Sequence, residues 1–319
     1  MKKLQWGIIS TGNIARRFAT DIQFCDNAEV RAVASRSREK AKAFAGEFKF
    51  PKYFDSYEKL FRDPEVEAVY VATPHNFHLE NSLEAIENGK PVLCEKPVTI
   101  NPEELEKLIA AAQHHHVFLM EGMWTYFLPA VIQAKKWVEE GRVGTIRHIK
   151  AEFGFSVPVD PSGRLFNPEL AGGVLYDMGI YPIAITWFIL GKKPKSIELH
   201  SHIASTGVDD DVFCTFHYDE YYAHLHASFR AKLGNRALIM GEKGTIEIPD
   251  FWEASEVILY KGRDIVDHYE DARKGKGFEY QITQVSRDIL EGKLESEIVP
   301  FSTSRYFQEQ INDIFKKMK

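Results

Sequence analysis

Over the first 122 residues, compact apolar runs alternate with stretches whose apolar positions recur every three or four residues. The run Leu4–Ile9 reads as a short buried strand. Residues 13–24 follow, with Ile14, Phe18 and Ile22 four apart on one helical face. A second strand is predicted over 29–34. Residues 37–48 then set Ala41, Phe44, Ala45 and Phe48 at the i, i+3, i+4, i+7 positions of an amphipathic helix. A third strand over 66–73 leads into a helix over 78–87, which buries Leu79, Leu83 and Ile86 and stops at Asn88-Gly89. A fourth strand covers 91–95. Asn101-Pro102-Glu103-Glu104 supplies N-cap, N1 proline and first-turn acids, and Leu105, Leu108, Ile109 and Ala112 carry that helix on. A fifth strand covers 117–120. Strands alternating with helices of this length imply βαβ units, right-handed crossovers and a doubly wound α/β domain on a parallel sheet.

The pattern changes after Gly122. Strand-like runs at 148–155, 196–202, 212–218, 224–229, 236–240, 245–248 and 256–260 are parted by turn signals such as Tyr218-Asp219-Glu220 and Gly241-Glu242-Lys243-Gly244. This predicts an α+β second domain over 123–319 with a large, mostly antiparallel open sheet. Residues 306–317 read as a final helix, a candidate to dock back on the first domain.

Composition narrows the class. A chain of 319 residues suits two domains, and 44% hydrophobic with 27% charged residues is ordinary for a soluble globular protein. A net charge of −6 argues against a nucleic-acid surface. Three scattered cysteines (Cys25, Cys94, Cys214) give neither a disulfide framework nor a zinc spacing. The N-terminal apolar run is too short for a signal peptide, and no window is read as a membrane span. A cytoplasmic protein without metal is expected. His114-His115-His116 cannot share one helix face, His224 and His226 are read as strand-face residues, and Asp209-Asp210-Asp211 as a turn before a strand.

Candidate chemistry gathers where strands of the parallel sheet end, which is where such sheets bind ligands. Between the first strand and first helix, Gly7-Ile8-Ile9-Ser10-Thr11-Gly12-Asn13-Ile14-Ala15 is an imperfect dinucleotide fingerprint. Ser10 stands for the first glycine, Gly12 lets backbone approach a pyrophosphate, and Ala15 permits close helix packing. The second strand ends in Ala34-Ser35-Arg36-Ser37-Arg38, with no acid before Glu39 to hold a ribose 2′-hydroxyl. Ser35, Arg36 and Arg38 suit a 2′-phosphate instead, which favours NADP over NAD. Thr73-Pro74-His75-Asn76-Phe77-His78 ends the third strand. Cys94-Glu95-Lys96-Pro97 ends the fourth, aiming a lysine at the ligand crevice; an ordinary surface lysine beside a strand-ending proline is the plainer alternative. In the second domain, Gly172-Gly173 precedes Asp177 and Tyr181, which are i and i+4 and would share a helix face. A carboxylate and a phenol beside a lysine suit proton relay, since an ammonium favours the phenolate.

Glu95-Lys96-Pro97, Thr73-Pro74 with His78, and Gly-Gly…Asp177-x-Gly179-x-Tyr181 resemble the Gfo/Idh/MocA oxidoreductases across nearly the whole chain. Trp6-Gly7-Ile8, Val92 to Pro97, Phe118 to Glu121 with Trp124-Thr125, Ala151 to Gly154 and Thr206 to Asp210 resemble its dihydrodiol dehydrogenase branch. That branch has tyrosine where many members have histidine at position 181, uses NADP, and lacks the first fingerprint glycine. This chain departs from it at Tyr126, where the branch commonly has arginine. The resemblance implies hydride transfer between nicotinamide and a secondary alcohol or carbonyl of a sugar, polyol or trans-dihydrodiol. In it Tyr181 takes the hydroxyl proton, Lys96 supports the phenolate and orients substrate, and Asp177 fixes Lys96. It also implies a homodimer through the open face of the second sheet. Trp124, Tyr126, Phe153, Phe155, Trp252 and Phe278 are candidate substrate walls. Two other readings stay open: a non-catalytic dinucleotide sensor, and a glycosidase working by transient oxidation.

Overall fold

In a computed structural model, which describes residues 2–318, the first part of the chain lays down β1 (Leu4–Ile9), β2 (Ala28–Ala34), β3 (Lys52–Phe54), β4 (Ala68–Val71), β5 (Val92–Glu95) and β6 (Leu119–Gly122) as one parallel sheet. Between them run α1 (Asn13–Asp21), α2 (Arg38–Phe48), α3 (Tyr57–Phe61), α4 (His78–Glu87) and α5 (Pro102–His115). The strand order is β3-β2-β1-β4-β5-β6, so winding reverses between β1 and β4. That reversal is the switch point at which ligands enter such a sheet. All residues of β4, β5 and β6 are buried, which is why these strands read as unbroken apolar runs rather than alternations. Ser37, Ser56 and Asn101 cap α2, α3 and α5 by accepting main-chain N–H groups of Lys40, Lys59 and Glu104. β3 and α3, three and five residues long, escape the sequence pattern because neither is long enough to repeat its period. Gly7 lets α3 close on β1: a Cβ there would lie 2.7 Å from Leu60 and 2.8 Å from Val66.

The second part adds α6 (Pro129–Glu139), β7 (Ile146–Gly154), α7 (Ile180–Leu190), β8 (Ser196–Ile203), β9 (Asp209–His217), β10 (Tyr222–Ser228), β11 (Arg236–Gly241), β12 (Thr245–Pro249), β13 (Glu256–Lys261) and β14 (Asp264–Glu270). Its eight strands run β14-β13-β12-β11-β7-β10-β9-β8, antiparallel throughout except for the parallel pair β7 and β10. Buried and half-buried positions alternate along β9 and β10, so one face takes α6 and α7 and the other faces outward. α7 is apolar all round because it lies in the core of this unit. The segment Pro168–Leu190 is, by length and composition, apolar enough to cross a membrane, contrary to the sequence expectation. Its apolar residues are spent internally: 72% of that window is buried.

The chain divides into two units, residues 1–124 with 274–308 and residues 125–273 with 309–319. The sequence boundary at 122/123 is crossed by a return that was expected of the final helix alone. α8 (Phe278–Leu290) and the start of α9 (Phe301–Met318) fold with the first unit. Trp6 Nε1 donates to Ser286 Oγ at 2.9 Å, and Asn27 Nδ2 to the Thr283 carbonyl at 2.9 Å. Helical periodicity tells that a helix has an apolar face, not which sheet the face covers.

Candidate active site

The turn after β1 bends at Ser10, whose φ of +94° is the region glycine takes without strain. Ser10 Oγ accepts the Gly12 N–H at 3.3 Å. Gly12 then opens α1 with no side-chain cap and no acid in the first turn. A Cβ at Gly12 would meet only Ser10 Oγ, at 3.7 Å. The helix start thus keeps its partial positive charge and stays open to close approach, which suits a pyrophosphate. At the end of β2, Ser35 is buried and accepts the Ser37 N–H at 3.3 Å. Arg36 is exposed with its guanidinium 5.7 Å from the Phe77 ring centroid, and Arg38 is exposed at the start of α2. Glu39 accepts the Ser37 hydroxyl at 2.9 Å.

At the end of β4, Thr73 and His75 are 8% and 6% exposed, and Pro74 leads a single 3-10 turn into α4. His78 is fully buried. Its ring nitrogens lie 2.8 Å from the Thr73 and Pro97 carbonyl oxygens, so it ties the loop after β4 to the loop after β5. The Lys96–Pro97 peptide is cis. Lys96 is 9% exposed, and its charge acts on two buried acids, Glu95 on β5 and Glu121 on β6. Glu95 accepts the Tyr70 hydroxyl; burial raises its pKa, opposed by that bond and by Lys96 and Arg17. Glu121 accepts the Val98 N–H at 3.0 Å, and burial pushes it up to about 7. Behind them, Gln308 of α9 donates to the Thr99 carbonyl at 2.6 Å. The segment 96–99 is therefore held from β6, α4 and α9 at once.

In the second unit, Asp177 and Tyr181 do not share one regular helix. Leu175–Gly179 is a π-turn, and α7 begins at Ile180, so the i, i+4 expectation meets a widened turn. Pro182 lies inside the helical run that is continuous from Val174, so its missing N–H removes one rung just after the π-turn. Asp177 pairs with Arg164 at 2.9 Å. The Tyr181 ring, 7% exposed, meets Phe153 edge-on at 5.6 Å. Phe153 stacks on Trp252 at 4.1 Å, and Phe155 meets Trp252 edge-on at 5.9 Å. Asp209 accepts the Leu175 N–H at 2.7 Å and is raised to about 6 by burial. Asp209, Asp210 and Asp211 open β9 rather than forming a turn, and each takes its own partner. Asp210 faces His202 at 2.6 Å, and Asp211 accepts the Ser228 hydroxyl at 2.6 Å.

Residues 4–123 match the family model of an oxidoreductase family with an NAD-binding Rossmann fold, and residues 131–247 match the GFO/IDH/MocA C-terminal domain. The chain belongs to the Gfo/Idh/MocA oxidoreductase family. Among curated relatives, trans-1,2-dihydrobenzene-1,2-diol dehydrogenase of Mus musculus is 34% identical, covering 98% of this chain and 96% of its own. The Homo sapiens protein of the same name is 33% identical over 98% and 96%. Among solved structures, aldose-aldose oxidoreductase from Caulobacter crescentus, complexed with glycerol, has a TM-score of 0.89 at 26% identity, covering 99% of this chain and 97% of that one. Levoglucosan dehydrogenase in complex with NADH and levoglucosan shares the fold, with a TM-score of 0.87 at 19% identity over 99% and 97%. The Gfo/Idh/MocA chain described here is accordingly an NAD(P)-dependent oxidoreductase.

Several expected site residues of this family member stand elsewhere than the sequence suggests. Trp124 and Phe278 pack together at 4.6 Å in the first unit, 1% and 0% exposed, under the Arg17 guanidinium. Within that unit they are core and cation–π partners. Tyr126 is 2% exposed and donates to the Ala184 carbonyl of α7 at 2.6 Å, so it supports that helix and does not line a cleft. Phe153, Phe155 and Trp252 are the aromatics gathered near Tyr181. Arg17, Glu121, Arg164 and Asp209 were missed. Glu121 had a signal, an acid closing an apolar run; the role of Arg164 depends on a loop with no periodicity.

Proposed function

We propose that the chain is an NADP-dependent dehydrogenase acting on a secondary alcohol or carbonyl of a sugar, polyol or trans-dihydrodiol. The observation that carries this reading is the setting of Tyr181: a phenol at the head of α7, edge-on to a stacked pair of aromatic rings. Flat apolar faces beside one proton-transferring hydroxyl suit a substrate whose C–H face must be held while its O–H is deprotonated. The nicotinamide supplies or accepts the hydride when bound. Ser10, Thr11, Gly12, Asn13 and Ile14 would hold the pyrophosphate; Ser35, Arg36 and Arg38 the 2′-phosphate; Thr73, Pro74, His75, Glu95 and Lys96 the remaining rim. His78 would act through the loops it ties.

In oxidation, Tyr181 would take the hydroxyl proton and Lys96 would favour its phenolate and orient the substrate oxygen. Asp177, held by Arg164, would bind a second hydroxyl. Trp252 and Phe153 would exclude water. A homodimer through the outward face of the eight-stranded sheet is consistent with half-buried Phe213, Leu238, Met240, Ile258 and Tyr260 on that face; light scattering at micromolar concentration tests it.

A panel of aldoses, inositols and trans-1,2-dihydrobenzene-1,2-diol, read by reduced-cofactor absorbance with NADP and NAD in parallel, tests the function. Tyr181→Phe is expected to lower kcat by about 10²–10⁴-fold with NADP binding intact. No turnover with any compound would favour a nucleotide sensor. Turnover without net NADPH would favour a glycosidase that returns its hydride.

A further inference from the structure

We propose that Asp209 is the positioning residue for Tyr181 and Asp177, anchoring the main chain from which both project; this rests on the reading of Tyr181 as the proton carrier. The first N–H groups of any helical segment lack partners within it. Here Asp209, 3% exposed, supplies them from the neighbouring strand, taking the Leu175 N–H at 2.7 Å and the Val174 N–H beside it. A carboxylate suits the task because each oxygen accepts, and bonds from N–H to an ionised acceptor are the stronger kind.

The Gly172-Gly173 pair makes the approach feasible. Gly173 has φ +119°, and a Cβ on it would stand 2.3 Å from Asp209 Oδ1. A Cβ on Gly172 would stand 2.8 Å from the Leu165 carbonyl oxygen and 2.9 Å from that of Asn167. The pair is thus seated between the carboxyl and the 164–167 loop, which also carries Arg164, the partner of Asp177.

The π-turn lies between two held ends, with Pro182, which has no N–H to give, just after it. Asp209 sets where the segment starts, and α7, buried against β7 and β10, sets where it finishes. The residues between must fit one wide turn. Release of the anchored end lets that turn relax to α geometry, which rotates what precedes it by about 100° per residue of slip relative to Tyr181. Asp210 and Asp211 cannot replace the anchor, since their carboxyls face His202 and Ser228.

The test uses the full chain with NADP and the fastest diol or aldose of the panel above. Asp209→Ala is expected to speed exchange of the Val174 and Leu175 amides at least 10²-fold and to lower kcat about 10²-fold, with KM for NADP within about twofold. Asp209→Asn keeps one acceptor and is expected to recover kcat to within about fivefold of wild type. Should Asp209→Ala not fold, Asp209→Ser, too short to reach both amides, takes its place with the same expectations. Unchanged exchange overturns the anchor. Freed amides with unchanged kcat, where Tyr181→Phe has lost turnover, overturn the positioning role alone. Equal loss in the alanine and asparagine variants also overturns it. Wild-type turnover in Tyr181→Phe removes the reading of Tyr181, and this proposal with it.

Discussion

Replacing Glu121 by glutamine isolates the electrostatic strain stored under Lys96. The carboxyl is 2% exposed on β6, and burial raises it from 4.5 to about 7 while the Ser304 side chain, the Val98 N–H and the Lys96 charge partly offset the shift. Its folded pKa lies above its unfolded one, so the folded state binds the proton more tightly. The resulting stability is fully present below pH 4.5 and is lost as pH rises through about 7. Since a tenfold change in proton affinity is worth about 1.4 kcal/mol, the whole effect is about 3 kcal/mol. Glutamine keeps an acceptor oxygen for Val98 and has no proton to lose. Relative to wild type, Glu121→Gln is therefore expected to gain about 3 kcal/mol between pH 4.5 and pH 8.5. The two units need not unfold together. Native-state hydrogen exchange of the β4 to β6 amides, which reports on the first unit by itself, is the suitable measurement. A stability difference that stays constant with pH would refute the reasoning, because Glu121 would then titrate alike in both states.

Arg36→Ala is expected to raise KM for NADP by about 10–100-fold and leave that for NAD unchanged, the loss of one charge-assisted contact; equal effects on both cofactors would contradict the 2′-phosphate assignment. Tyr126→Phe removes the bond to the Ala184 carbonyl and is expected to cost about 1 kcal/mol in chemical denaturation with substrate KM unaltered. A changed KM at unchanged stability would return Tyr126 to the substrate site. Gly173→Ala combines φ +119° with a Cβ at 2.3 Å from Asp209, and about 2–3 kcal/mol of destabilisation is expected in the second unit by thermal melting. A neutral result would mean that the turn is not as described.

Strand ends were legible because the parallel sheet announces itself: β4, β5 and β6 are buried on both faces, so their ends and the residues just past them are marked by where apolarity stops. Lys96, Thr73 and the Ser10 turn could be found that way. The helix over 78–87 could be bounded for the same reason. The aromatics were less legible, since bulk and apolarity are shared by core and cleft. Trp124 and Trp252 look alike in sequence, yet one lies under Arg17 and the other stacks on Phe153. Asp177 and Tyr181 were placed on one helix because spacing reveals a period, and a single π-turn is too short to alter it. Arg164 and Asp209 act through contacts 13 and 34 residues away in sequence, a separation that local pattern does not report.

The bond from Trp6 to Ser286 joins residues 280 positions apart. Asp21 likewise waits for the main-chain N–H groups of Lys276 and Phe278. During synthesis the first sheet is made early, yet its buried indole finds no acceptor until the ribosome has passed the entire second sheet. The nucleotide-binding unit therefore completes itself around a partner segment made only after the second sheet. A chain stopped after residue 273 would present a six-stranded sheet with Trp6 and Cys25 uncovered, a species for chaperones to hold rather than a domain that works alone.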